Sequence, residues 1–258
     1  MKDCIGNRRA GWMFSGVLAA LVVTAAPVAA QVAGDDDPAA KLLTLTSIPS
    51  ATVPQHGTVF LGLSGTNRRA RNAYDADGSL SFGAGFGSAE DAIGFQVNGN
   101  ITSLTDSFGD SGYFGLKASR RLSAGRVPIY GAVELTHLGN WGDASGTDAT
   151  ADVMFTAFSR IDSASDSYPV MFTLGAGTHV RNNRTDPGAY IGAGIGLTEH
   201  FGASIAWTGE TLDIGSSFTI AGLDNTYFGV EVNDATDRVN HRRITFSVSV
   251  ALQNAFGR

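Results

Sequence analysis

The chain has 258 residues, a formal net charge of −6, and 33 glycines beside only 16% charged residues. Low charge combined with many apolar residues excludes an intrinsically disordered chain, and glycine at this density excludes a coiled coil or another long-helix protein. The acidic balance gives no reason to expect a nucleic acid as a partner. The composition is typical of a protein built from glycine-rich strands.

The first thirty residues have the layout of a secretory signal peptide. Basic residues come first, residues 17–26 are almost entirely apolar, and Pro27 is followed by small residues. This layout predicts export with cleavage after Ala30. The alternative is an uncleaved anchor helix, since residues 10–30 are just long enough to span a bilayer. Because the only cysteine, Cys4, lies in this segment, we expect the exported chain to have neither disulfides nor thiol chemistry.

Beyond residue 30 the apolar residues recur at every second position. In residues 79–87 four apolar side chains alternate with serine and glycine, and residues 191–198 alternate in the same way with glycine. A period of two predicts β-strands with one apolar and one polar face. We count about twelve such segments, centred near residues 60, 82, 96, 117, 132, 156, 173, 193, 206, 217, 230 and 248.

The connections between these segments differ in length. Residues 65–77, 139–151 and 179–187 are predicted to be long polar loops, whereas residues 88–91 and 123–126 are predicted to be tight turns. Long loops at one end and tight turns at the other are typical of a transmembrane β-barrel. An even number of strands then leaves both ends of the barrel on the short-turn side. Ten strands are the alternative, if the region near residues 209–232 contains fewer strands than its pattern suggests.

The polar faces of the strands distinguish a barrel from a soluble sandwich. A sandwich exposes that face to water and usually carries Lys, Glu and Arg there, whereas this chain places Gly, Ser, Thr, Asn and Gln on it. Such a face suits an enclosed, partly hydrated lumen, with the apolar face against lipid. The fold class is therefore predicted to be all-β, a transmembrane antiparallel up-and-down barrel. A soluble secreted β-domain is the alternative.

These features make the chain resemble the outer-membrane β-barrel proteins of Gram-negative bacteria, a porin-like class, over nearly all of its exported length. The resemblance implies outer-membrane lipid as a partner. It also implies recognition of the C-terminal strand by the barrel-assembly machinery, and residues 245–252 look like that strand. The class usually ends on an aromatic residue, whereas here Phe256 is third from the end.

Three parts of the chain follow from this interpretation. Residues 1–30 are the cleaved signal peptide, residues 57–258 form the barrel, and residues 31–56 between them lie in the periplasm or plug the lumen. We expect no cofactor and no metal site, because the five histidines lack metal-ligand spacing. His179 and His241 are placed near the outer rim, where outer-membrane hydrolases and acyltransferases carry their chemistry, yet no spacing identifies a nucleophile. We therefore do not expect an enzyme, and no catalytic residue is assigned.

Lys117 and Glu134 are rare charges on the polar faces of two consecutive predicted strands. Pairing across the turn at residues 123–126 brings them within about one diagonal step. We predict that they form an ion pair inside the lumen, which would narrow or polarise a pore. The alternative is that one of them lies in water at the rim.

Five arginines are predicted to cluster at the outer rim, where the first and last strands must pair to close the barrel. Guanidinium groups bind phosphate bidentately, and lipopolysaccharide presents phosphates at this height. The hypothesis is a lipopolysaccharide contact, with solvated loop charges as the alternative. The residues are Arg68, Arg69, Arg71, Arg242 and Arg243.

Three function classes stay open at this point. A passive pore for small solutes is favoured by the uncrowded lumen face, since Gly and Ser leave space. A structural, adhesive or lipopolysaccharide-interacting barrel without transport is the second class. An outer-membrane hydrolase or acyltransferase is the third. The transported solute and the oligomeric state cannot be derived from the sequence.

Overall fold

The computed structural model describes residues 41–68, 76–105 and 108–256. Over these ranges the chain forms antiparallel strands and one short 3₁₀ helix, Gly142–Gly146. The strands are β1 (Val59–Thr66), β2 (Asp77–Gly87), β3 (Gly94–Ile101), β4 (Gly112–Ser123), β5 (Ile129–Trp141), β6 (Thr150–Asp162), β7 (Ser167–Arg181), β8 (Asp186–Thr198), β9 (Phe201–Trp207), β10 (Leu212–Phe218), β11 (Thr226–Asn233) and β12 (Arg243–Leu252). Within the same ranges, no helix has the length and apolar character needed to cross a bilayer.

The twelve strands close into one barrel in which each strand pairs with its neighbours in sequence. Closure is made by β1 and β12, which pair along eight positions from Val59↔Leu252 to Thr66↔Thr245. All of the sequence-predicted segment centres lie inside a strand. The prediction of an all-β, up-and-down barrel of twelve strands is therefore confirmed.

The two faces of the wall have opposite chemistry. Large apolar side chains point outwards, with Val133 53%, Phe172 52% and Phe246 60% exposed. Inward-facing polar side chains are buried, as with Ser81 at 3% and Thr156 at 0%. This inverted distribution is stable only where lipid surrounds the outer face, because a hydrocarbon solvent favours apolar contact and offers no hydrogen bonds.

One predicted loop is wrong. Residues 179–187 were expected to form a long polar loop, but β7 continues to Arg181 and β8 begins at Asp186. The connection is the tight turn 182–185, in which Asn182, Asn183 and Arg184 all have positive φ. Asparagine tolerates this left-handed region better than most residues, so the polar run that suggested a loop makes a compact turn.

The remaining connections place the chain ends on one side. The end that carries residues 88–93, 124–128, 163–166, 199–200 and 219–225 is called the short-turn end, and the opposite end is called the long-loop end. β1 starts and β12 stops at the short-turn end, which agrees with an even strand number. Phe256 lies beyond β12, where its ring stacks on that of Phe86 with 5.6 Å between centroids.

Candidate functional site: the lumen and its N-terminal segment

The lumen is occupied by the N-terminal part of the described chain. Residues 41–56, called the lumen segment, form neither helix nor strand. The segment starts at the short-turn end, where the Leu42 amide donates to the Thr198 carbonyl oxygen at 2.8 Å. It is deepest between Ser47 and Ser50 and returns to the same end at Gly57, beside Asn254. It thus enters and leaves the barrel at one end.

Glycines on the lumen face seat this segment. A Cβ at Gly194 would overlap the Thr44 carbonyl oxygen, and a Cβ at Gly202 would overlap that of Leu42. These and similar positions, called the glycine track, are Gly85, Gly192, Gly194, Gly202 and Gly215. The sequence interpretation took these glycines as open space for a pore. The space exists, but the lumen segment fills it.

Apolar side chains of the segment complete a core inside the barrel. Leu43 is 3% exposed and Ile48 is 2% exposed. Each such aliphatic side chain contributes about 1.5–3 kcal/mol when it leaves water. Besides Leu43 and Ile48, the cluster contains Leu45, Ala51, Tyr130, Ala132, Met154, Phe158, Met171, Tyr190 and Ala206.

Hydroxyl groups bind the segment to several strands. The Thr44 and Ser217 hydroxyls are 2.6 Å apart, and the Thr46 and Ser204 hydroxyls are 2.9 Å apart. The Ala51 amide donates to the Thr156 hydroxyl at 2.8 Å. Short polar side chains on the lumen face therefore satisfy polar groups of a buried segment that has no sheet partner.

The predicted charged pair lies at the deepest part of the segment. Lys117 and Glu134 are directly opposite in the β4–β5 register, with 3.4 Å between Lys117 Nζ and Glu134 Oε2. Their side chains are only 5% and 13% exposed. Lys117 Nζ also donates to the Ser50 carbonyl oxygen at 3.2 Å. The pair is thus inside the lumen, and it holds the lumen segment as well.

A second ionic contact lies where the segment enters. Lys41 Nζ is 2.6 Å from Asp166 Oδ2 in the β6–β7 turn and 3.6 Å from the centre of the Tyr168 ring. The hydrogen bond from Lys41 lowers the pKa of the Asp166 carboxyl below its usual value. Because Asp166 is exposed, solvent screens this pair more than the pair of Lys117 with Glu134.

Glu231 meets the segment on the other side of the lumen. Its carboxylate accepts hydrogen bonds from the Ser47 hydroxyl and the Asn233 amide. Arg243 belongs to the same network, since its Nε donates to Asn233 Oδ1 at 3.2 Å. Arg243 therefore faces the lumen, in alternation with the outward Ile244. This placement removes Arg243 from the predicted phosphate-binding cluster.

The other predicted arginines lie outside the lumen wall or outside the described residues. Arg68 and Arg242 flank the seam at the long-loop end, where the Asn67 amide donates to the Ile244 carbonyl oxygen at 3.2 Å. A phosphate contact by these two residues stays a prediction. Arg69 and Arg71 lie outside the described residues.

Arg184 is an exposed residue of the β7–β8 turn. It sits in the left-handed turn 182–185 at the long-loop end, and the Asn183 amide ties this turn to Glu210 Oε2 at 3.0 Å.

The lumen wall is not covered evenly. On β4, β6 and β7, Ser119, Thr156 and Thr173 are at most 2% exposed. On β11 and β12, Gly229 and Ser247, which face each other, keep partial exposure. We call the first region the packed wall (β4–β10). The second, the exposed wall, is the part of β11 and β12 nearer the short-turn end (Tyr227, Gly229, Ser247 and Ser249), because the other part of these strands is buried, with Thr245 at 5% and Asn233 at 8% exposed.

The two histidines considered for catalysis form hydrogen bonds with residues near them in sequence. His179 Nδ1 is 2.8 Å from the adjacent Thr178 hydroxyl, and the His241 amide donates to Asp234 in the β11–β12 loop at 3.1 Å. Among the described residues, no group of three or more His, Cys, Asp or Glu side chains is arranged to hold a metal ion.

Comparison with known proteins identifies the fold. No family model and no curated protein matches the chain. Among solved structures it is similar to the KdgM porin, at 10% sequence identity and a TM-score of 0.51, over 76% of this chain and 98% of that one. Omp33, an outer membrane protein of Acinetobacter baumannii, has 10% identity and a TM-score of 0.46 over 77% and 99% of the two chains. By fold, the chain is a closed twelve-stranded antiparallel β-barrel similar to that of the KdgM porin.

Proposed function

We propose that this protein is an outer-membrane channel for small polar solutes, and that residues 41–56 restrict its lumen. The carrying observation is the contrast between an apolar outer face and a closed inner face of Ser, Thr, Gly and Asn with paired charges. Where the lumen segment does not cover it, an inner wall of this kind is suited to contact with water or a polar solute. The fold shared with the KdgM porin supports the same function.

The exposed wall is the proposed path of solutes through the lumen. Tyr227, Gly229, Ser247 and Ser249 line one side of the lumen and are each partly exposed. The packed wall is closed by the lumen segment, so solutes pass along the exposed wall and then meet the contact between Ser47 and Glu231. Arg184 and Arg243 lie at the long-loop end of this route and are expected to affect which charged solutes enter.

Localisation in the outer membrane, with export through a signal peptide removed after Ala30, belongs to the proposal. Under this arrangement the short-turn end, where Lys41 lies, faces the periplasm. N-terminal sequencing of the membrane-extracted protein is expected to begin at Gln31. A first residue within 1–10 would contradict the cleavage.

Planar-bilayer conductance tests the channel. We compare the full-length exported chain with a variant that lacks residues 41–56, after heat-dependent gel mobility has shown that each barrel is folded. We expect a small conductance for the full chain and a larger one for the deletion variant. A folded deletion variant without conductance would refute the channel and favour a structural barrel without transport.

A further inference from the structure

Three of the five glycines of the glycine track face the backbone of the lumen segment, and Gly192 and Gly215 face its side chains. At Gly85, Gly194 and Gly202 the atoms that would collide with a Cβ are carbonyl oxygens of the lumen segment. Main-chain atoms are common to every polypeptide, whereas the neighbouring hydroxyls of Ser204 and Ser217 accept or donate according to the partner. The track therefore has the shape and chemistry of a binding groove for extended polypeptide.

The barrel closes without help from the lumen segment. β1 and β12 pair along their whole common length, and every other strand has two strand neighbours. Residues 41–56 add no strand to the sheet. Their departure would thus leave the backbone hydrogen bonds of the wall intact.

The path of the segment permits departure in one direction. Lys41 and Gly57 are both at the short-turn end, so the segment can leave there without passing a free end through the barrel. Gly57 has a φ of +81° immediately before β1, a conformation that glycine adopts without strain. We take Gly57 as the hinge.

Many of the polar contacts that hold the segment are of a kind that water replaces. They include hydroxyl–hydroxyl bonds such as those of Thr44 with Ser217 and of Thr46 with Ser204. Water forms equivalent bonds to each partner at little enthalpic cost. The Lys117 ammonium likewise keeps Glu134 as its partner when the Ser50 carbonyl leaves. The buried apolar side chains Leu43 and Ile48 oppose release, so the bound state is the resting state.

We propose that the glycine track is a reversible peptide-binding site, that its resident ligand is residues 41–56 of the same chain, and that release of this segment toward the short-turn end opens the channel. The inference rests on the channel proposed above. The segment acts as a tethered ligand, and its binding site consists of the glycines of β2 and β8–β10 together with the hydroxyls of β9 and β10.

A disulfide lock tests this release on the full chain. The variant Thr44→Cys/Ser217→Cys places two thiols where hydroxyls are 2.6 Å apart, within reach of disulfide geometry. No other cysteine follows Cys4 in the sequence. We expect a constant low conductance in the oxidised variant and transitions to a higher conductance after reduction.

The matched control is Ser64→Cys/Ser79→Cys. These hydroxyls are 2.7 Å apart on paired strands β1 and β2 and bind each other across the lumen face. Oxidation and reduction of this pair are expected to leave the conductance unchanged. An equal response in both variants would show an effect of the reductant or of barrel strain and would overturn the proposal.

A synthetic peptide tests the binding site in trans. The peptide carries residues 41–56 and is added to the variant that lacks them, first on the short-turn side and then on the long-loop side. We expect block from the short-turn side that lowers the conductance to the full-chain level, and weaker block by a peptide of scrambled order.

The outcomes separate the two proposals. If the folded deletion variant does not conduct, the channel itself is refuted. If that variant conducts but reduction of the Thr44–Ser217 lock changes nothing and the peptide does not block, the channel stands and reversible release is refuted. The lumen segment is then a permanent part of the barrel interior.

Discussion

The packed wall and the exposed wall have similar sequences but different surroundings. On β8, Gly192 and Gly194 lie against Ile48 and Thr44 of the lumen segment. On β11, Gly229 lies against the Ser247 side chain of the next strand, and no atom of the segment is among its nearest neighbours. Alternating glycine therefore makes room for a backbone in one place and leaves the surface accessible in the other. The difference teaches that a small residue in a barrel lumen indicates space and does not indicate an open pore.

The largest expected effect comes from breaking the charged pair on the packed wall. Lys117→Met leaves the Glu134 carboxylate buried without its ammonium, and loss of one partner of a buried pair costs about 3–5 kcal/mol. We expect a fall of this size in the free energy of unfolding, measured in urea in detergent micelles. Glu134→Gln leaves the Lys117 ammonium buried without its carboxylate, so it is also expected to destabilise the chain and to change ion selectivity.

The double variant Lys117→Met/Glu134→Gln is the control for this prediction. It removes both charges, so it should recover part of the stability lost in Lys117→Met. A double variant no more stable than the single one would mean that Lys117 acts through its contact with Ser50 rather than through Glu134.

Replacing one glycine on each wall by alanine is expected to affect the two walls differently. The effect on stability is smaller than that of breaking the charged pair. Gly194→Ala pushes a Cβ into the Thr44 carbonyl oxygen, and overpacking of this kind costs about 1–3 kcal/mol or displaces the segment and raises the conductance. Gly229→Ala meets only the Ser247 hydroxyl, which can rotate away. Equal stability and equal conductance of the two variants would contradict the distinction between the walls.

Removal of single hydroxyls is expected to have a weaker effect again. Ser204→Ala deletes the partner of Thr46, and a neutral hydrogen bond contributes about 0.5–1.5 kcal/mol. Ser247→Ala on the exposed wall removes a hydroxyl from a site that water reaches, so water replaces the lost hydrogen bonds. We expect a measurable loss of unfolding free energy for the first variant and a change near zero for the second, by the same urea titration.

The smallest expected effect concerns the contact at the short-turn end. The pKa of Asp166 is lowered by the hydrogen bond from Lys41, so the pair stabilises the folded chain above the usual carboxyl pKa of about 3.9. This contribution is lost as the pH falls through the lowered folded-state pKa. Between about pH 5 and pH 2, the free energy of unfolding of the unaltered chain should fall more than that of the Asp166→Asn variant. Identical profiles would mean that the pair does not affect stability.

Much of the fold follows from local pattern. The period of two marked all twelve strands and assigned Lys117 and Glu134 to the polar face, because side-chain direction in a strand depends only on sequence parity. Arg243 has that same parity, alternating with Ile244 and Phe246, but its charge suggested a loop. The turn 182–185 was missed for a similar reason, since polarity was given more weight than the continuing alternation.

The position of the lumen segment could not be predicted from local sequence pattern. Residues 41–56 have no regular period, so the sequence left them either in the periplasm or in the lumen. Their position depends on glycines and hydroxyls of β2, β8, β9 and β10, which lie far away along the chain.

The sequence by itself determined the strands, their two faces and the closed, lipid-facing class of fold, because alternation and the need to satisfy every backbone group in lipid admit few other solutions. Only the tertiary structure decided what the lumen contains. Whether a glycine faces water or a peptide oxygen depends on contacts between residues distant in sequence, and side-chain parity carries no information about them.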